Sequence, residues 1–191
     1  MISVILPCCN EPRILETIKE IEKLNLVDEI IISSDRERNG KGWAIKQGLK
    51  LCNGNIIIFL DADMDIHPKE ILNLIKHIKK YNVIIGAKDL SKLPLSRRII
   101  SFGYRVLVRM LFRLHISDTQ TGLKIWRKKF IPEFENNDFS YDIEMIVKTK
   151  TKIKEVFINV TSSKKVTLRA IIYTFIGTMK VWIKFFRLSK S

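Results

Sequence analysis

Asp61, Asp63 and Asp65 follow directly on the apolar run Ile56-Ile57-Ile58-Phe59-Leu60. Three carboxylates this close repel one another, and a bound cation is the natural resolution. Their hard oxygen atoms suit Mg²⁺ or Mn²⁺, ions that keep positions for substrate phosphates. The plainer alternative is an acidic loop capping the helix that Pro68 opens, but one aspartate would serve for that. A second set of residues is cationic. Arg97, Ser101, Arg105, Arg109 and Arg113 recur every fourth residue and form one stripe along a helix. Like charges at that spacing disfavour an isolated helix, so an external anion is expected.

The whole chain is basic. Its 191 residues hold 34 Lys+Arg against 20 Asp+Glu, a formal net charge of +14. That excess favours phosphorylated substrates, an anionic membrane surface or nucleic acid. Nucleic acid is the weakest of these, because the basic residues alternate with long aliphatics and not with exposed stacking platforms. Cys8, Cys9 and Cys52 have neither disulfide-framework nor zinc spacing, which fits a reducing compartment. The opening Met1-Ile2-Ser3-Val4 lacks a basic leader and is read as no signal peptide. No run reaches the roughly 20 apolar residues that span a bilayer, so the expected association is peripheral.

The chemistry must be held by elements legible from periodicity. Ser3–Leu6, Glu29–Ser33, Ile56–Leu60 and Val83–Gly86 read as buried strands. Helices are expected from Pro12 to about Leu24, Trp43 to about Cys52, and Pro68 to about Lys80. Strands alternating with helices, each a continuous apolar run, predict a mostly parallel sheet covered on both faces. Ligands bind such sheets beyond the carboxyl ends of the strands, where Pro7, Asp35 and Asp61 fall. In the second half, helices are expected over Ser96–His115, Tyr141–Lys150 and Val166–Leu188, with strands over Thr121–Arg127 and Ile153–Val160. The chain reads as one domain over 1–191, with a nucleotide and metal half (1–90) and an acceptor and membrane-interface half (91–191).

Several segments, in one order, resemble family-two glycosyltransferases. Val4-Ile5-Leu6-Pro7-Cys8-Cys9-Asn10-Glu11 is similar to their opening strand and pocket, and Asn39-Gly40-Lys41-Gly42-Trp43-Ala44 to their glycine-lysine segment. Phe59-Leu60-Asp61-Ala62-Asp63 resembles their metal motif. Asp118-Thr119-Gln120-Thr121-Gly122-Leu123-Lys124 and Tyr141-Asp142-Ile143-Glu144 resemble segments of dolichyl-phosphate glucosyltransferases and mannose synthases.

The resemblance implies a GT-A, Rossmann-like fold and inverting, metal-dependent transfer from a UDP- or GDP-sugar to a polyprenyl (dolichyl) phosphate. It implies that Pro7, Cys9, Glu11, Lys41 and Ala62 line the nucleotide-sugar pocket. Asp61 and Asp63 would sit beside diphosphate and metal, with Asp65 where relatives often carry a metal-contacting glutamine. Arg98, or its neighbour Arg97, would meet phosphate. Relatives carry a longer connection between the second strand and the glycine-lysine segment, so this fold is shortened and the base-binding aspartate is either Asp35 or absent. Asp118 either orients or deprotonates the acceptor, or bonds backbone amides of its own turn. Gln120 and Lys124 either face sugar and phosphate or border a strand. Asp142 and Glu144 have the alternative of serving the start of their own helix. Lys164 either closes over the donor phosphates or is solvated.

The long helices carrying Arg105, Arg109, Arg113, Lys180 and Lys184 are amphipathic, with Ile99, Phe102, Met110, Phe175 and Phe186 between the charges. Such helices suit an anionic bilayer interface, at the cytoplasmic face of the cell membrane. The alternative packs them on the sheet. Two other readings remain: a sugar-phosphate nucleotidyltransferase, whose glycine-rich loop after the first strand is not found at Cys8-Cys9-Asn10-Glu11, and a catalytically impaired membrane-associated scaffold.

Overall fold

The computed structural model describes residues 1–89, 95–161 and 168–188; the side chains of residues 96–97, 168–170 and 187–188 lie outside that description. The element order is β1 (Ile2–Cys8), α1 (Ile14–Glu22), β2 (Glu29–Ser34), α2 (Lys41–Leu51), β3 (Ile56–Leu60), α3 (Glu70–Ile75), β4 (Val83–Lys88), α4 (Leu95–Phe112), β5 (Leu123–Arg127), α5 (Tyr141–Lys148), β6 (Ile153–Ile158) and α6 (Leu168–Leu188). The strands form one six-stranded sheet in the order β2-β1-β3-β5-β4-β6. All neighbours are parallel except β5, which runs antiparallel to both β3 and β4. The expected α/β architecture, a mostly parallel sheet flanked by helices, is what the chain adopts.

Successive strand residues point to opposite faces, so each apolar run feeds two cores. Val4, Leu6, Ile58, Leu60 and Ile84 pack with Ile21 of α1 and Ile71 and Leu74 of α3. Ile5, Ile57, Phe59, Val83, Ile85 and Trp126 pack with Ile45 of α2 and with Tyr141 and Met145 of α5. Burial on both faces explains why these strands read as unbroken hydrophobic runs. The reversal of β5 matters for the site. It brings that strand's first residues to the edge where the parallel strands end, pairing Leu123 with Leu60 and Lys124 with both Phe59 and Ile85.

Several boundaries differ from expectation. The third helix stops at Ile75, because the chain then tightens into i→i+3 bonds such as Ile78 N to Ile75 O and Lys80 N to His77 O. α4 stops at Phe112, where Arg113 takes a left-handed backbone (φ 56) and its N–H closes on Arg109 O. β5 begins at Leu123, two residues late, because Gly122 and Thr121 spend their carbonyls on Asp61 N–H and the Lys124 ammonium.

The two long helices each bury one face against the domain. Val108 of α4, Ile143 of α5 and Val181 of α6 form a third core cluster. Tyr104 and Thr178 hydroxyls lie 3.0 Å apart, and the Phe112 and Phe185 rings meet edge-on. The outward faces keep Ile99, Phe102, Met110, Tyr173 and Phe175 exposed. Among the described residues, no helix is long and apolar enough to cross a membrane.

Candidate active site

The carboxyl edge of the sheet collects the chemistry-bearing side chains. Asp61, the first residue beyond β3, is fixed by its backbone N–H to Gly122 O at 3.0 Å. Its carboxylate does not stand alone. The Lys41 ammonium, at the first position of α2, sits 2.6 Å from Asp61 Oδ1. Gly122 is what makes room, since a Cβ there would lie 2.2 Å from Asp61 Oδ2. Burial pushes the Asp61 carboxyl up, but Lys41, with help from Lys124 and Lys88, outweighs it and holds the group below the usual carboxylate range. Lys41 is the mirror case. Burial pulls it down, while Asp61 and Asp142 together leave it above the ordinary lysine value.

Lys41 is held by a second layer. Gly40 adopts φ 117, and a Cβ there would lie 2.3 Å from Asn137 O. A Cβ on Gly42 would lie 2.4 Å from Asn136 O. The 135–137 loop therefore packs directly on the start of α2, and Trp43 N–H donates to Asn137 O at 3.1 Å. That loop is held in turn by Glu144, whose carboxylate accepts from the backbone N–H groups of Glu135 and Asn136 at 3.0–3.1 Å.

The acidic turn is arranged differently from a three-carboxylate cage. Asp63 Oδ1 accepts the Asp65 N–H at 3.1 Å, and the Met64 between them takes φ 57. Backbone carbonyls of the turn are bound by neighbours: Thr17 Oγ1 donates to Ala62 O, Arg13 to Asp63 O and Thr161 N–H to Asp65 O. Among the described residues, no three His, Cys, Asp or Glu side chains form a group that could hold a metal ion. The charge repulsion read from the sequence is relieved at Asp61 by Lys41, an internal cation. The carboxylate oxygens are chemically right for Mg²⁺ or Mn²⁺, but they fit one only with further ligands from substrate phosphates, the usual mode for Mg²⁺.

Asp118 lies in the turn before β5, beside the last residue of β4. Its carboxylate accepts the Gln120 N–H at 3.1 Å and the Lys88 N–H at 3.5 Å, so its turn-building role is realised. Glu155 of β6 buttresses the turn, accepting Ser117 N–H at 2.7 Å and Asp118 N–H at 3.1 Å. Arg105 of α4 donates from Nε to Ser117 O at 3.2 Å. Arg105 is thus drawn inward and Arg113 has left the helix, which breaks up the expected continuous arginine stripe. Arg98 and Arg109 are exposed, and the side chain of Arg97 lies outside the described residues, as does Lys164.

Lys124 takes the second of its two alternatives, a place in strand β5, which corrects the sugar-and-phosphate one: it is 2% exposed, with its ammonium on Thr121 O and Asp142 Oδ1, each at 2.6 Å. It sits on the α5 side of β5, beneath the helix. Burial depresses its pKa more than Asp142 restores it. Of the other pocket residues, Pro7 is half-buried at the end of β1, Cys9 is exposed, and Glu11 accepts the Arg13 N–H at 3.1 Å. Asp35 is buried, and its oxygens accept the N–H groups of Asn39 and Gly40 at 2.9 and 2.7 Å. Burial raises it, but these backbone bonds leave it below the usual carboxylate range. Asp35 thereby builds the short β2–α2 connection. Glu155 belongs to no motif, and its signal in the sequence is a charged residue inside an apolar strand; Asp142, read above in a family segment or at the start of its own helix, is the counter-ion of Lys124.

Residues 35–99 match glycosyl transferase family 2. The chain is 27% identical over 192 residues to an uncharacterized protein of Methanocaldococcus jannaschii, covering 81% of this chain and 79% of that one. It is 24% identical over 145 residues to the dolichyl-phosphate beta-glucosyltransferase of Dictyostelium discoideum, covering 66% of this chain and 44% of that longer protein. Mannosyl-3-phosphoglycerate synthase from Rubrobacter xylanophilus superposes with a TM-score of 0.80 at 14% identity, covering 100% of this chain and 75% of that one. Glucosyl-3-phosphoglycerate synthase from Mycobacterium tuberculosis, solved with Mn²⁺, uridine diphosphate and phosphoglyceric acid, superposes at 0.75 with 18% identity, covering 95% and 78%. In sequence signature and in fold alike, this chain is similar to the family-two glycosyltransferases of GT-A architecture.

Proposed function

We propose that the chain is a glycosyltransferase that moves a sugar, with inversion, from a nucleotide-sugar donor to a polyprenyl phosphate at a membrane surface. The observation that carries the reading is the Lys41–Asp61 pair at the carboxyl edge of the sheet, packed directly against Gly122. Lys41 is a cation already desolvated and oriented, suited to a diphosphate leaving group. Asp61 and Asp63, with donor phosphates, would hold a divalent ion that neutralises the leaving diphosphate when bound. A phosphomonoester acceptor is largely dianionic at pH 7, its second pKa lying near 6, so it attacks C1 without a strong general base. The protein's task is alignment, and the Asp118 turn, braced by Glu155 and Arg105, is rigid enough for it.

The acceptor class rests on the dolichyl-phosphate relative and on the exposed apolar flank of α4. Arg105 anchors that helix to Ser117, so the flank and the Asp118 turn are one unit. A polyprenyl chain lying in a bilayer would present its phosphate beside such a helix, with Arg98 and Arg109 toward anionic headgroups. The test is incubation with Mn²⁺ or Mg²⁺, a panel of UDP- and GDP-sugars, and polyprenyl phosphate in vesicles, with phosphoglycerate as a soluble rival acceptor. A lipid-linked sugar that disappears in Asp63→Ala is the expected result. Transfer to phosphoglycerate alone would reassign the acceptor. Firm vesicle binding without turnover from any donor would favour a scaffold, a reading supported by the engagement of Asp35 in its own loop.

A further inference from the structure

Lys124 and Asp142 form an ion pair at 2.6 Å, with each side chain only 3% exposed. Removing two charges from water costs several kcal/mol per ion, and apolar residues of similar volume hold a fold as well or better. Stability alone therefore does not account for this pair. Its surroundings do. Lys124 also ties Thr121 O, one residue before the Gly122 whose carbonyl receives the Asp61 N–H. The start of α5 packs on the start of α2, where a Cβ on Gly42 would lie 2.9 Å from Tyr141 Cβ, and from there Asp142 helps to keep Lys41 charged, as Lys124 helps to keep Asp61 charged. The four groups form a quartet of alternating sign: an outer pair open to ligand, and an inner pair sealed under α5.

We infer that the inner Lys124–Asp142 pair is a positioning device for the donor diphosphate. Lys124 clamps the Thr121-Gly122 segment against Asp61. Asp142 is the second anion that retains the Lys41 ammonium at the site when Asp61 turns to the donor's cation. Neither inner residue touches substrate; both act through Lys41 and Asp61. This rests on the glycosyltransferase reading, and it assigns work to two residues that reading leaves idle.

Three variants test it: Lys124→Met, Asp142→Leu and the double change, each followed by thermal unfolding and by transfer kinetics. Either single change leaves one buried charge without its partner and lowers the melting temperature. The double change restores the melting temperature, yet kcat stays at least about tenfold below the parent, less than the roughly hundredfold of a directly lost contact because these residues act through Lys41 and Asp61. A double variant that regains both stability and kcat overturns the inference, because the pair is then structural only. If the double variant stays destabilised, kcat is read well below its unfolding transition, where the folded form dominates, and a kcat equal to that of the parent overturns the inference. If the parent binds nucleotide but transfers no sugar, the function reading fails separately. Calorimetric binding of UDP and GDP with Mn²⁺ then decides, with about a tenfold weaker affinity expected in the double variant. Equal affinity, or no nucleotide binding by the parent, overturns the inference.

Discussion

Gly122 is the position where a single methyl group should do the most damage. A Cβ there would lie 2.2 Å from Asp61 Oδ2, 2.5 Å from its Cγ and 3.0 Å from its Cβ. Rotation about χ1 relieves the first two contacts but leaves the third. It also withdraws the carboxylate from the Lys41 ammonium at 2.6 Å. Two costs follow in Gly122→Ala. Overpacking and a disturbed ion pair should lower stability by about 1–3 kcal/mol, which is a fall in melting temperature of about 2–12 °C for a chain of this length. Misplacing the proposed metal carboxylate should lower transfer by about a hundredfold or more. The control is Gly103→Ala in α4, where a Cβ meets nothing within 4 Å. Removing backbone freedom from a helical glycine should raise stability there by about 0.4–1 kcal/mol, with transfer unchanged. Calorimetric melting of both variants and a radiolabelled-sugar transfer assay read the two effects separately. Gly122→Ala with unchanged melting temperature and transfer would refute the close Asp61–Gly122 packing on which the site is built.

Glu29, bonded by Ser3 and by the Asn53 and Gly54 N–H groups, is depressed to about 2. A depressed carboxylate stabilises the fold above its unfolded pKa, near 4.3, and loses that contribution as pH falls toward 2. Urea unfolding should therefore show Glu29→Gln less stable than the parent at pH 6, with the gap closing through pH 4 to 2. Glu144→Gln weakens the acceptors for the Glu135 and Asn136 N–H groups and should cost about 1–3 kcal/mol and raise KM for the donor through the loosened 135–137 loop. Replacing exposed Ile99, Phe102 and Phe175 with Ser should reduce flotation with anionic vesicles without lowering the melting temperature; unchanged flotation would remove those faces from the membrane proposal.

The strand-and-helix order was legible because the buried strands are continuous apolar runs and the helices keep their period. What local pattern does not carry is strand direction. Leu123–Arg127 reads as a buried strand whether it lies parallel or antiparallel to its neighbours. The reversal alone puts Gly122 beside Asp61 and sends Lys124 under α5 instead of into the pocket. The same limit governs the carboxylate turn. Asp61, Asp63 and Asp65 are adjacent in sequence, so their mutual repulsion is visible, but the cation that answers it comes from Lys41, twenty residues earlier and across the sheet edge. A local motif thus shows which charges must be compensated, and only the fold shows what compensates them. For this site the distinction changes the chemistry expected of Asp61. A carboxylate already paired with lysine must exchange that partner before it can hold a divalent ion, so donor and metal should bind with positive cooperativity, the phosphates receiving the lysine as the metal takes the aspartate. Titrating Mn²⁺ with and without UDP measures that coupling. Equal Mn²⁺ affinity in the two titrations would mean that Lys41 and the ion do not compete for Asp61.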